Sequence, residues 1–240
     1  MSTVLPSSRE QMQQSTDPCV PTQTDVESTS WRSRSERFVP RSWIISKRAL
    51  DVVIAVVALA GTSPVLVVSM IAIVLSSPGS PFFAQERVGI YGRRFTILKL
   101  RTMRPNAHES LDALRGASEV SGPVFKMKRD PRVFFVGRLL RKLSIDEIPN
   151  LVSVLMGHMS IVGPRPPLPS EVEGYDEYAF RRLRVKPGIT CIWQISGRSA
   201  IDFDEWMRLD HEYLDNWSPL YDLKIILATL PAVLFGRGAY

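Results

Sequence analysis

Two adjacent carboxylates, Asp146 and Glu147, stand in the run Ser144-Ile145-Asp146-Glu147-Ile148-Pro149-Asn150, with Arg141 and Lys142 just upstream. In its plainest reading the S-x-x-E spacing is a capping box, in which Ser144 and Glu147 each satisfy an N–H at a helix start. The same residues suit chemistry. The positive end of a helix dipole keeps carboxylates ionised, as a carboxylate nucleophile or a metal ligand requires. Pro149 costs the helix an early hydrogen bond, an irregularity that a cap alone does not need. Downstream, Gly163-Pro164-Arg165-Pro166-Pro167 is a stiffened turn holding one guanidinium, whose planar fork of donors matches phosphate oxygens. An ordinary surface turn is the alternative. Lys186-Pro187-Gly188 and Ser196-Gly197-Arg198 repeat the association of a cation with turn residues, and Lys99 and Arg101 add two more at a strand end. Together these cations could collect a highly charged ligand.

Other residues point away from chemistry. His108, His158 and His211 are scattered, with no HExxH, which predicts exposed or packing roles. The stretch Gly89-Ile90-Tyr91-Gly92 lacks both nucleotide-loop patterns, and Trp206, Trp217, Tyr213 and Tyr221 read as core or interface anchors. Cys19 and Cys191 form no CxxC, so a disulfide scaffold and a zinc cluster are excluded and a reducing compartment is implied.

The elements that must carry these residues follow from composition. The chain has 240 residues, 45% hydrophobic, with a net charge of +6, enough for one core of ordinary size and a preference for phosphate-bearing partners. Residues 1–42 hold nine Ser, five Thr, four Pro and four Gln without apolar periodicity, and read as a disordered tail. They lack the pattern of a secretory signal.

Residues 52–75 read VVIAVVALAGTSPVLVVSMIAIVL, and no charge occurs between Asp51 and Glu86. This is a membrane segment. As a straight helix it would reach about 36 Å, enough to cross a bilayer core of about 30 Å. Two features argue against crossing: Ser63-Pro64 near the middle predicts a break, and both flanks are rich in Lys and Arg. A re-entrant helix-break-helix over 43–80 satisfies both, with a Pro-kinked span as the alternative.

Residues 81–240 read as a membrane-associated domain on the cytoplasmic side. Strand-like runs occur at 95–100 and 189–195, and amphipathic helices able to lie on a bilayer at 133–143 and 148–156. Residues 201–217 are acidic and aromatic, and 220–235 form an interfacial or core helix. The expected class is α/β, mainly helical: a monotopic membrane protein with a re-entrant hairpin, interfacial helices and a small sheet.

Several motifs together resemble the small monotopic phosphoglycosyl transferases, also called bacterial sugar transferases. They are Lys47-Arg48-x-x-Asp51, Glu86-Arg87-Val88-Gly89, Leu98-Lys99-Leu100-Arg101, Asp130-Pro131-Arg132, the Ser144 to Asn150 run, Gly163-Pro164-Arg165-Pro166, Lys186-Pro187-Gly188 and Gln194-Ile195-Ser196-Gly197-Arg198. Each is weak alone; their order over most of the chain is specific. The resemblance implies that Asp146 attacks a UDP-sugar, that Glu147 helps hold Mg2+, and that Lys99, Arg101, Arg141, Arg165, Arg198 and Asp222 bind phosphate or substrate. It further implies transfer of a hexose-1-phosphate, from UDP-glucose or UDP-galactose, to undecaprenyl phosphate at the cytoplasmic face of a bacterial inner membrane, initiating exopolysaccharide synthesis. Membrane lipids are then partners and a homo-oligomer is left open. Residues 107–124 carry no family anchor. A non-catalytic membrane-anchored scaffold is the rival, and it leaves the carboxylate pair beside turn-held arginines unexplained. Nucleic-acid binding has no support beyond net charge.

Overall fold

In a computed structural model of the chain, residues 40–107, 127, 130–196 and 201–234 are described. The tail expected over 1–42 lies outside them except for its last three residues, and Arg198 lies outside them too.

The apolar run forms one helix, α1 (Arg41–Ser76), with Pro64 inside it. The expected division into two helices at Ser63 and Pro64 is thereby corrected. Proline brings no N–H to the carbonyl four residues earlier. The Ser63 hydroxyl donates to that carbonyl, Ala60 O, at 2.8 Å. Thr62 Oγ1 likewise donates to Ala58 O at 2.6 Å. The helix is long and apolar enough to cross a membrane, and only 11% of its most apolar window is buried within the protein.

Both ends of α1 are tied to the rest of the chain. Near its start, Lys47 Nζ contacts Asp222 Oδ2 at 2.6 Å and donates to Val162 O at 3.0 Å. Arg48 donates to Val154 O at 2.6 Å and Leu155 O at 2.8 Å, and Asp51 Oδ1 accepts from Ile161 N at 2.9 Å and Ser160 Oγ at 3.0 Å. Beyond its end, Arg101 donates to Ser77 O at 2.7 Å and Pro78 O at 2.9 Å. Within the helix, 60–65 is almost wholly exposed, whereas Ala55 and Ile73 on either side are fully buried.

Strands β1 (Phe82–Val88) and β2 (Arg94–Leu100) form an antiparallel hairpin, pairing Phe82 with Leu100 and Val88 with Arg94. Helix α2 (Phe135–Lys142) follows, and its Gly137 lies so close to Thr102 that a Cβ there would stand 2.2 Å from Thr102 O. A 3-10 turn (Ile145–Asn150) runs directly into α3 (Leu151–Leu155). Pro149, without an N–H, keeps this stretch from closing as the single helix expected from Ser144 to Met156.

Strands β3 (Ser160–Val162) and β4 (Gly188–Thr190) pair in parallel. Between them lie α4 (Pro169–Val172), α5 (Glu177–Phe180) and a 3-10 turn (Arg181–Arg184). The strand expected over 189–195 is shorter than its apolar run: only Gly188–Thr190 finds a partner in three-residue β3, and Ile192–Ser196 coils as α6. Helices α7 (Phe203–Asn216) and α8 (Pro219–Leu234) match the expected runs at 201–217 and 220–235. One buried cluster joins Ala55 to Val154, Val162, Trp206 and Ile225; another joins Ile73 to Leu100, Phe134 and Leu140. Helix α1 therefore contributes to both. The mainly helical character stands, and in place of the one small sheet expected there are, among the described residues, two separate two-stranded sheets.

Candidate active site

The carboxylate pair sits on the 3-10 turn. Ser144, just before it, adopts a left-handed backbone with φ 56° and makes no side-chain cap. The expected capping box is thus not formed, because Glu147 is committed elsewhere. Its Oε1 meets Lys99 Nζ of β2 at 2.6 Å and Arg165 Nη1 at 3.6 Å. Strand β2 and the proline turn therefore converge on one carboxylate.

The two acids are driven apart in protonation. Burial opposes the charge on Glu147, but Lys99 and Arg165 outweigh it and bring the group down to about 2. Asp146 moves the other way: burial raises it, the Glu147 charge adds to this, and Lys99 and Arg141 only partly compensate. Burial and the neighbouring side chains together move the two groups in opposite directions. Asp146 is 8% exposed and makes no ion pair among the described residues.

Arg141 comes from the end of α2. Its Nε donates to Thr102 Oγ1 at 2.9 Å, and its charge acts on both Asp146 and Glu147. The close passage of Gly137 against Thr102 is what lets α2 bring Arg141 in.

The proline turn is held one carbonyl at a time. Pro164 O accepts from Gly188 N at 2.9 Å, Arg165 O from Arg182 Nη2 at 2.8 Å, Pro166 O from Arg87 Nη1 at 3.0 Å and Pro167 O from Val88 N at 3.0 Å. With its main chain fixed in this way, the turn presents the Arg165 guanidinium over the Trp193 ring, 5.8 Å from its centroid. Arg87 is buried; burial and Arg165 lower it to about 10, so it is cationic at neutral pH.

These residues line one concave pocket: Arg87, Lys99, Glu147, Asn150, Arg165, Trp193 and Gln194, with Ile189 and Cys191. Asp146 lies beside the pocket rather than among its lining residues. Burial pushes the Cys191 thiol up to about 12, so it carries no thiolate.

The structure thus brings together Lys99, Glu147 and Arg165, with Asp146 and Arg141 next to them. It engages two expected binding residues elsewhere. Arg101 spends its guanidinium on Ser77, Pro78 and Gly79 at the end of α1. Asp222 is 2% exposed and is satisfied by Lys47, Tyr213 and Trp217. Sequence reasoning gave no role to Arg87, Asn150 or Trp193. Arg87 lies in the Glu86-Arg87-Val88-Gly89 motif; Asn150 closes the carboxylate run; Trp193 carries no distinguishing pattern.

A metal bound here would rest on few protein oxygens. Among the described residues no three or more His, Cys, Asp or Glu side chains form a metal cluster. Magnesium usually takes one or two protein oxygens and completes its shell with water and substrate phosphates. Glu147 and Asn150, whose buried Oδ1 has no hydrogen-bond partner, supply such donors in the same pocket.

Comparison with known proteins identifies the family of the chain. The family model described as bacterial sugar transferase matches residues 42–236. The exopolysaccharide production protein ExoY of Sinorhizobium fredii is 44% identical over 200 residues, 82% of this chain and 88% of that protein. The UDP-glucose:undecaprenyl-phosphate glucose-1-phosphate transferase of Caulobacter vibrioides is 41% identical over 207 residues, covering 82% of this chain and 72% of that protein. The undecaprenyl-phosphate galactose phosphotransferase of Salmonella typhimurium is 36% identical over 211 residues, covering 86% of this chain but only 43% of that protein. With the family model matching residues 42–236, this chain belongs to the bacterial sugar transferase family.

Proposed function

We propose that the protein transfers a hexose-1-phosphate from a UDP-sugar to undecaprenyl phosphate, through a covalent intermediate on Asp146. The observation that carries this reading is the split of the two carboxylates. Glu147 is held ionised by Lys99 and Arg165, which makes it a weak nucleophile. Asp146 has a raised pKa and no ion-pair partner among the described residues, which makes it the more basic oxygen once deprotonated.

In the first half-reaction an Asp146 oxygen attacks the phosphorus bearing the sugar. The bond from that phosphorus to the bridging oxygen breaks, its electron pair leaves with UMP, and a phosphosugar remains on Asp146 as an acyl phosphate. In the second, an oxygen of undecaprenyl phosphate attacks the same phosphorus, and the bond to Asp146 breaks to regenerate the carboxylate. Arg141, Arg165, Lys99 and Arg87 counter the charge that develops on the phosphoryl oxygens. Glu147 and Asn150 would hold Mg2+, which neutralises diphosphate oxygens when bound. Chelation should then abolish UMP release and added Mg2+ restore it; full turnover in chelator would remove the ion from the scheme.

The protein incubated with UDP-sugar labelled in the sugar, without acceptor, should release UMP and keep the label. Peptide mapping should find that label on Asp146. Label on any other residue would reassign the nucleophile.

The anchor reading is re-entrant, with α1 bending at Pro64 while staying helical, entering one leaflet and keeping both its ends on the cytoplasmic face. Its support is that Lys47, Arg48 and Asp51 before the apolar stretch and Arg101 after it grip one domain, while 60–65 is left bare. Apolar side chains exposed on α2 (Phe135, Leu139), on α3 and just after it (Val152, Met156) and on α8 (Leu223, Leu227) suit a surface lying on lipid. Cysteines introduced at Trp43 and at Gly92 should both react with a membrane-impermeant reagent from the cytoplasmic side only. Reaction from opposite sides would make α1 a span.

A further inference from the structure

We infer that the buried Arg182–Asp210 pair is a positioning device for Arg165, acting through the Arg165 carbonyl. This rests on the reading of Arg165 as a phosphate-binding residue.

Arg182 stands in the 3-10 turn before β4 and Asp210 in α7, and the two side chains are buried almost completely. Their charges meet at 2.7 Å, between Arg182 Nη2 and Asp210 Oδ2. The same Nη2 donates to Arg165 O at 2.8 Å, and Nη1 donates to the Tyr175 hydroxyl at 2.6 Å. The guanidinium also lies over the Trp206 ring, 4.8 Å from its centroid. Trp206 stacks on Trp193 at 5.2 Å, and Trp193 is the ring beneath the Arg165 guanidinium. Both ends of Arg165 are therefore referred to one buried cation: the carbonyl directly, the guanidinium through two stacked indoles.

Stability alone does not account for such a pair. Two charges taken out of water cost about as much as they regain from each other, and apolar side chains of similar size often serve as well or better. A guanidinium at this point does what no apolar side chain can. It donates to Arg165 O, a part-buried carbonyl in a turn whose three prolines leave little alternative hydrogen bonding. A shift of that carbonyl would swing the Arg165 side chain away from Glu147 and the pocket. Arg182 forms no ion pair with Glu147 among the described residues and reaches the pocket through the Arg165 carbonyl and the Trp206–Trp193 stack beneath the Arg165 guanidinium.

The test is a double-mutant cycle on the full-length protein in lipid nanodiscs. One arm carries Arg182→Met with Asp210→Leu, which removes both charges together; the other carries Arg165→Ala. UMP release from UDP-glucose and UDP-galactose is read as kcat and KM, beside the thermal midpoint. The charge-free pair should melt at or above the parent's temperature and lose roughly 10- to 100-fold in kcat with a smaller change in KM. In the Arg165→Ala background the same replacement should cost less than about twofold, since there is no guanidinium left to aim. Retained activity in the charge-free pair, or a loss that multiplies in full onto Arg165→Ala, would overturn the positioning role while leaving Arg165 itself in place. Full activity of Arg165→Ala alone would overturn the phosphate-binding reading and this inference with it. Should the charge-free pair fail to fold, Tyr175→Phe removes one acceptor of Arg182 without changing charge. It should lower kcat several-fold, again only where Arg165 is present, and a loss independent of Arg165 counts against the proposal.

Discussion

Asp146→Asn should lower UMP release from the preferred UDP-sugar by about 10³-fold or more, while thermal stability changes little. An amide keeps the size of the carboxylate but offers no anionic oxygen to phosphorus. Asp146 makes no ion pair among the described residues, so the change breaks no direct charge contact, although Arg141 and Lys99 lose a nearby negative charge that favours their own. It also relieves Glu147 of a neighbouring negative charge. The variant should retain no label from a sugar-labelled donor and should still bind the nucleotide, since the cations are untouched. A stopped-flow or discontinuous UMP assay over a range of enzyme concentrations measures this directly. Turnover within tenfold of the parent would mean that another oxygen attacks.

Replacing the neighbours of Asp146 should move the acid limb of the pH–rate profile in opposite directions. Asp146 must be ionised to react, so activity rises as pH rises through its elevated pKa. Glu147→Gln removes the negative neighbour that helps raise it and should shift the acid limb of kcat/KM down by about 1 unit. Lys99→Met removes a positive neighbour and should shift it up by a similar amount. The second change also strands Glu147, whose pair with Lys99 is largely buried, at a cost of about 3 kcal/mol near neutral pH. In the parent protein Glu147 is ionised more readily folded than unfolded. The stability this gives is present above the ordinary carboxylate pKa and is lost only as pH falls through about 2. Lys99→Met reverses the preference, so that acidification toward pH 4 should partly restore its melting temperature. Limbs that move together, or do not move, would show that Asp146 does not set the acid side.

What could be read from the sequence followed chemistry that is local. The carboxylate run, the proline turn and the apolar segment each announce themselves within a few residues, and α8 falls on the closing apolar run expected to be a helix. What could not be read depends on partners distant in the chain. Glu147 looked like a cap because its own helix start was visible, whereas Lys99, 48 residues earlier, was not visibly its partner. Asp222 was assigned to binding by the resemblance alone, and its partner Lys47, 175 positions away, could not be seen from its neighbours. The break expected at Pro64 overlooked the neighbouring hydroxyl, since a proline's orphaned carbonyl is satisfied whenever a serine reaches it. The strand expected over 189–195 was limited by the length of the strand it could pair with, a property of β3 and not of its own residues.

The clasps that fasten α1 have a further consequence for how this chain tolerates change. Arg48 and Arg101 close mainly on peptide oxygens, those of Val154, Leu155, Ser77, Pro78 and Gly79, and Lys47 also reaches Val162 O. Every amino acid carries that oxygen. Apart from Asp222, which receives Lys47, and Ser160, which meets Asp51, the junction between the apolar rod and the catalytic body thus depends little on side-chain identity on the receiving side, and drift elsewhere there leaves the fastening intact. Exchanging the rod between relatives that keep the basic fasteners should yield chimaeras that dock at once.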